Sequence, residues 1–171
     1  MKITISGIGG VGKGTISKLL GEKLNYQVLS GGDFFRAMAK EQGMDLYEFE
    51  EYVKTQPDFD YKLDKMQEKF GQENDNFVLE SRIGWYFVPD SFKIKLICEE
   101  GERLRRIKER DGGEIDEIKA KEEQRLKAIK ERYKKLYQID DFQADENFDL
   151  IVDTTKLNPD EIVNLILERI K

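Results

Sequence analysis

Ile3-Thr4-Ile5-Ser6-Gly7-Ile8-Gly9-Gly10-Val11-Gly12-Lys13-Gly14-Thr15 stands almost at the start of the chain, and Ile16, Leu19, Leu20 and Leu24 follow it at helical spacing. A β-branched run, a glycine turn and an amphipathic segment in that order predict strand, loop and helix. Glycines let such a loop take left-handed conformations and bring its backbone close to a ligand. The N–H groups of the turn and of the first helical turn then converge on one anion. Lys13 adds a mobile positive charge, expected to lie exposed in the loop. Gly-Lys at the end of the glycine string, between strand and helix, marks a phosphate cradle rather than an ordinary turn.

Around this cradle the composition narrows the choices. At 171 residues, 39% apolar and 11% aromatic, the chain is long enough for one domain with a substantial core. A net charge of −6 argues against a surface built to hold a nucleic-acid backbone. There is no histidine, which removes the commonest general base and metal ligand, and a single cysteine excludes an internal disulfide. Cys98 ends an apolar run and is expected in the core. No apolar run approaches the roughly 20 residues of a membrane span. The N-terminus has no signal-peptide pattern. A cytoplasmic protein without membrane or nucleic-acid partners, and a monomer, is expected.

Strands are predicted at residues 3–6, 27–29, 76–79, 92–98 and 149–153. Phe77-Val78-Leu79, 94–97 and Leu150-Ile151-Val152 are nearly continuous apolar or β-branched runs, as parallel strands covered on both faces require. Helices between them predict right-handed crossovers and an α/β sandwich. Between residues 29 and 76 helices are predicted at 33–41, 46–54 and 60–70, with Pro57 separating the last two. From 99 to 135 charge dominates, and Gly112-Gly113 divides the stretch into two helices. Asn158-Pro159-Asp160-Glu161 carries the signals of a helix start: a capping side chain, proline at the first position and acid in the first turn. This gives a core of residues 1–30, 76–110 and 138–171, an inserted helical lobe at about 31–75 and a short lid at about 110–137.

Several side chains could carry chemistry. Lys13 is followed by Gly14, where many phosphate loops place a Mg²⁺-binding hydroxyl; the first hydroxyl here is Thr15. A metal would therefore be held by nucleotide and water, with Glu80 at the end of its strand and Asp33 acting through water. Asp33 could equally cap the helix that follows. Arg36, Arg82, Arg106, Arg110, Arg125 and Arg132 stand where a fold of this type turns toward the loop, and a guanidinium suits bidentate contact with phosphate. Arg103 and Arg105 read as surface charges.

Gly7-x-Gly-Gly-x-Gly-Lys-Gly-Thr15 and Ser30-Gly-Gly-Asp-x-Phe-Arg36 resemble the opening of the nucleoside monophosphate kinases, with Gly9 where proline is usual. The segment Val78-Leu79-Glu80-Ser81-Arg82-x-x-Gly84-Trp85 and the later Arg132-Tyr133-x-x-x-Tyr137-x-Ile-Asp140 are more similar to the compact archaeal type of cytidylate kinase. The resemblance spans nearly the whole chain. It departs at Ser81, which replaces a glycine, and at Arg125-Leu126-Lys127-Ala128-Ile129, where that family tends to read Arg-Glu-x-Ser-Glu.

The resemblance implies a P-loop NTPase fold, three layers α/β/α around a five-stranded parallel sheet, and transfer of phosphoryl from ATP, with Mg²⁺, to CMP or dCMP. It implies that Gly7, Ile8, Gly9, Gly10, Val11, Gly12, Lys13, Gly14 and Thr15 hold ATP. Asp33, Arg36, Arg82, Gly84 and Trp85 would hold the monophosphate. Lys13, Arg106, Arg110, Arg125 and Arg132 would act on the group in transit. An adenylate-kinase-like enzyme or another small-molecule kinase shares the fold; the latter usually places Ser or Thr after the lysine and needs a base. A GTPase needs an Asn-Lys-x-Asp reader, and Thr155-Lys156-Leu157-Asn158 does not supply it. A non-metabolic ATP-binding factor on the same fold would differ in turnover.

Overall fold

Runs of β-branched and apolar residues with no polar alternation bury both faces of a strand, and the computed structural model places them so; it describes residues 1–56 and 58–170. Among these, β1 (Lys2–Ser6), β2 (Gln27–Ser30), β3 (Phe77–Glu80), β4 (Phe92–Ile97) and β5 (Leu150–Asp153) form one sheet in the order β2-β3-β1-β4-β5. Every pairing is parallel. The chain leaves the central β1 to one side for β2 and β3, then crosses to the other for β4 and β5. Sheets of this kind bind ligands beyond the carboxyl ends of such strands.

The side-chain alternation of a strand divides the core. Val78 joins Ile3, Ile5, Ile94 and Leu96 under α1 (Lys13–Leu24) and the C-terminal helix, whose Ile162, Val163 and Ile166 are buried there. Its neighbours Phe77 and Leu79 point the other way, against Leu29, Phe70 and Val88. Between β2 and β3 run α2 (Gly31–Glu41), α3 (Leu46–Lys54) and α4 (Phe59–Glu73). Here Ala39, Phe49 and Val53 gather Phe35, Met38, Met44 and Phe59 into a separate small core. After β3 comes the single turn α5 (Gly84–Phe87); after β4 come α6 (Glu100–Asp111) and the long α7 (Ile115–Tyr137); a 3-10 turn at Asp145–Asn147 precedes β5, and α8 (Pro159–Arg169) closes the fold.

The order of elements and the three layers match the reading of the sequence, and the differences lie at the ends. β3 begins at Phe77 because Asn76 takes a left-handed turn, φ 56°, and it extends to Glu80, which is in register with Ile5 and Ser30. β4 stops at Ile97, and Cys98 is only partly buried. α2 starts two residues earlier than predicted: the Ser30 hydroxyl, not Asp33, is its cap, accepting from the Asp33 N–H at 3.1 Å. Pro57 lies outside the described residues. α5 and the 3-10 turn are too short to leave a periodic signal. Asn158 caps α8 in a reciprocal box with Glu161.

Gly21 on α1 faces β2, where an added Cβ would lie 2.2 Å from Val28 Cγ2 and 3.2 Å from the Tyr26 carbonyl. Alanine would improve helix propensity by at most about 1 kcal/mol, whereas overpacking costs about 1–3 kcal/mol. Gly21→Ala is therefore expected to lower the unfolding free energy by roughly 1–2 kcal/mol, measured by urea titration; an unchanged or higher midpoint would show that β2 gives way freely.

Candidate active site

The loop between β1 and α1 has the backbone that its glycines promised. Gly10 and Gly12 sit at φ 82° and 97°, a left-handed region that side chains with a Cβ rarely adopt. Gly12 is the N-cap of α1 and offers no side-chain cap. The N–H groups of the helix's first turn thus remain free for an anion. In front of Gly14 an added Cβ would meet nothing within 4 Å, and Thr15 is exposed on the same turn.

Lys13 is not the exposed loop lysine expected from the sequence. Its side chain is only 10% exposed, because it folds back across the loop to donate to the Ile8 carbonyl at 3.0 Å. Glu80 Oε1 stands 3.9 Å away, and the Ser30 hydroxyl donates to the other oxygen of that carboxylate. Burial pushes the Lys13 ammonium down to about 8; Glu80 opposes this, while the guanidinium groups of Arg82, Arg125 and Arg110 add to it. Burial, then the charge of Arg125, also lowers Arg82. Three predicted arginines, from β3–α5, α6 and α7, therefore gather electrostatically on the loop lysine.

Arg36 sits at the edge of this space, 2.7 Å from Asp33 Oδ1. A Cβ on Gly32 would lie 3.4 Å from the Arg36 guanidinium and 3.7 Å from Glu80 Oε1, so the two side chains converge beside the α2 start. Burial raises Asp33, but Arg36 and Lys18 outweigh it and hold the carboxyl below the usual range. Gly84 is packed against Thr4 and Ser81, and a Cβ added to it would lie 3.3 Å from each of those side chains. Trp85 lies in an apolar cluster with Ile83, Leu126, Ile129, Tyr133 and Tyr137, its indole N–H without an acceptor among the described residues.

The arginines of α6 and the later part of α7 are each held by their own partners. Arg106 is tied to β5: it donates to Thr154 Oγ1 at 3.0 Å and to the Thr154 carbonyl at 2.7 Å, and pairs with Glu102 at 2.8 Å. That puts it beside Gly12, at the end of the loop. Arg110 pairs with Asp111 at the end of α6. Arg132 on α7 lies 3.9 Å from the buried Asp64 of α4 and over the Tyr133 ring, and Tyr137 donates to the same Asp64.

Arg103 corrects the sequence reading. It is buried, with Nη1 donating to the Gly9 carbonyl at 2.8 Å; only Arg105 is the surface charge expected. Leu104 and Ile107 turn this face of α6 inward, a stripe that could have identified Arg103. Sequence reasoning named Glu80 but missed two further counter-charges, the half-buried Glu50 and the buried Glu122. Glu50 pairs with Arg125 Nε, and Glu122 lies 3.6 Å from both Arg103 and Arg125. Burial raises Glu50, while Arg125 and Arg82 oppose the rise.

A glycine loop at the end of the central parallel strand, with its lysine buried within electrostatic reach of three arginines, defines the class as a P-loop kinase. Residues 3–127 match the family described as AAA domain. The chain is 38% identical over 176 residues to a cytidylate kinase of Thermoplasma volcanium, covering 99% of this chain and 91% of that protein. It is 35% identical to the cytidylate kinase of Methanobrevibacter smithii, covering 100% and 99%. The shikimate kinase of Aquifex aeolicus has the same fold, with a TM-score of 0.60 at 18% identity over 99% of this chain and 96% of that one. The chain belongs to the cytidylate kinase family of nucleotide kinases.

The depressed Lys13 has a consequence for stability. Its folded value lies below the unfolded 10.5, so below about pH 8 the folded protein bears the full cost of a buried charge. Between about 8 and 10.5 the unfolded chain binds more protons and stability rises with pH. At about 1.4 kcal/mol per unit, Lys13→Met should be the more stable protein at pH 7 by roughly 3 kcal/mol. That gap should close progressively toward pH 10, as read by thermal melts across pH. A constant gap would place the lysine in water.

Proposed function

We propose that this chain transfers the terminal phosphoryl group of ATP to CMP or dCMP, giving ADP and CDP or dCDP. The reading is carried by the gathering of Arg82, Arg110 and Arg125 on the loop lysine, in a chain related over its whole length to proteins named cytidylate kinase. Residues 7–15 hold the triphosphate, with Lys13 on its outer oxygens. Arg36 and Arg82 hold the acceptor's phosphate, beside Asp33, Gly84 and Trp85. Arg110 and Arg125 neutralise charge on the group in transit, and Arg132 supports them from α7. Arg106, bound to Thr154, steadies the far end of the loop.

The acceptor oxygen is already anionic near neutral pH, so a chain without histidine lacks nothing it needs. Catalysis reduces to alignment and charge neutralisation. Hard carboxylate oxygens suit Mg²⁺, and Glu80 and Asp33 flank the phosphate space; they would hold the ion through water while ATP carries it. Bound there, the ion would neutralise phosphate oxygens. Triphosphate charge beside Lys13 would raise its ammonium again, so ATP binding near pH 8.5 should take up a proton.

A coupled assay with ATP against CMP, dCMP, UMP, AMP and GMP is expected to give CMP the highest kcat/KM and dCMP the next. UMP should be used appreciably, since Ala128 and Ile129 carry no group to read a base edge. AMP preferred over both pyrimidines would overturn the acceptor. Lys13→Ala should lose about 3 kcal/mol of transition-state stabilisation, the scale of a removed preorganised donor. Arg36→Ala and Arg82→Ala should raise KM for CMP far more than for ATP, and Arg110→Ala should mainly depress kcat. Loss of ATP affinity in the first two would reverse the pockets.

A further inference from the structure

Glu122, on a helix whose lysines and glutamates read as a solvated face, is buried. Its carboxylate joins three parts of the fold. Oε2 stands 3.6 Å from Arg103 Nη1, the same nitrogen that donates to the Gly9 carbonyl. Oε1 stands 3.6 Å from Arg125 Nη1 and accepts from the Tyr47 hydroxyl of α3 at 3.3 Å. Burial and this carboxylate push the Tyr47 hydroxyl up to about 12, keeping it a proton donor. On the loop side, a Cβ at Gly9 would lie 2.5 Å from Oε2. The carboxylate therefore rests in the space that a side chain at position 9 would fill, against the backbone that cradles phosphate.

Two of the guanidinium groups nearest the loop thus have a carboxylate for a partner, and that carboxylate lies on the loop itself. A terminal phosphate brought to the same guanidinium groups meets a like charge; a diphosphate that ends short of it does not. Like charges brought together at close range in a dry site cost binding. We propose that Glu122 is a positioning residue that holds Arg103 and Arg125 on the loop and yields them to the terminal phosphate of ATP, so that it sets the balance between ATP and ADP binding. This rests on the kinase reading above. It adds a specificity role for a residue outside the phosphate loop.

The test is the ratio of ATP to ADP dissociation constants, measured by calorimetry on the intact chain. Glu122→Gln keeps the shape and the acceptor for Tyr47 but removes the charge. It is expected to tighten ATP about tenfold while ADP changes less than about twofold. Gly9→Ala reaches the same carboxylate from the other side: Gly9 is outside the left-handed region, and its methyl must displace the flexible end of Glu122. The ratio should move the same way. Equal changes for both nucleotides, or weaker ATP binding in Glu122→Gln, would overturn the proposal. So would a Gln variant that fails to fold together with a wild-type ratio in Gly9→Ala. Phosphoryl transfer by the wild type is scored separately: failure to phosphorylate any monophosphate sinks the kinase reading but leaves the nucleotide ratio standing.

Discussion

Positive charges that must share one dry space repel each other, and the architecture of this site is organised around holding them there. Burial disfavours the charges of Lys13 and Arg82, and Arg125 shares their space. What keeps them together is a set of carboxylates from separate elements: Glu80 at the end of β3, Glu50 on α3 and Glu122 on α7. Glu80 and Glu122 each serve more than one partner. Burial above all, with the nearby arginines adding to it, depresses Lys13, a cost that a phosphate chain brought beside it would offset. The sheet supplies the fixed frame for this arrangement, since the parallel register aligns Ile5, Ser30 and Glu80 at one edge.

The parts of this arrangement that are local in sequence were legible. The glycine loop, the continuous apolar strands and the cap of α8 each announce themselves within a few residues, because their causes are local: backbone freedom, burial of both strand faces and a capping hydrogen bond. That Arg82, Arg110 and Arg125 would come within electrostatic reach of the loop lysine was legible through residue type and place. Two of the counter-ions were not. Glu50 and Glu122 lie on helices full of solvated acids, and only the packing of α3 against α7 and of α7 against the loop separates them from their neighbours. Arg103 was misread for the same reason: the rotation of α6 about its axis is fixed by Leu104 and Ile107 meeting Ile118 of α7, a contact between segments that periodicity alone does not join. Arg106 faces the core for a related cause, the Thr154 hydroxyl and carbonyl offered by the end of β5.

Leu126 and Ile129 show what the departures from the family pattern do in three dimensions. Positions where an acid is usual carry apolar side chains that pack with Ile83, Trp85 and Tyr137. The aromatic ring system of Tyr86, Phe87, Tyr133, Tyr137 and Phe142 continues that surface. The region gains cohesion between α5 and α7 and gives up hydrogen-bonding groups.

The absent side chain of Gly9 reaches beyond the loop it belongs to. Any β-carbon there falls on the carboxylate of Glu122, more than a hundred residues away along the chain. The two positions are therefore coupled: a larger residue at the first favours a shorter or differently aimed residue at the second, and a long acid at the second favours glycine at the first. Among descendants of this sequence the pair is expected to drift together, because a side chain gained at the first position must re-aim the acid at the second.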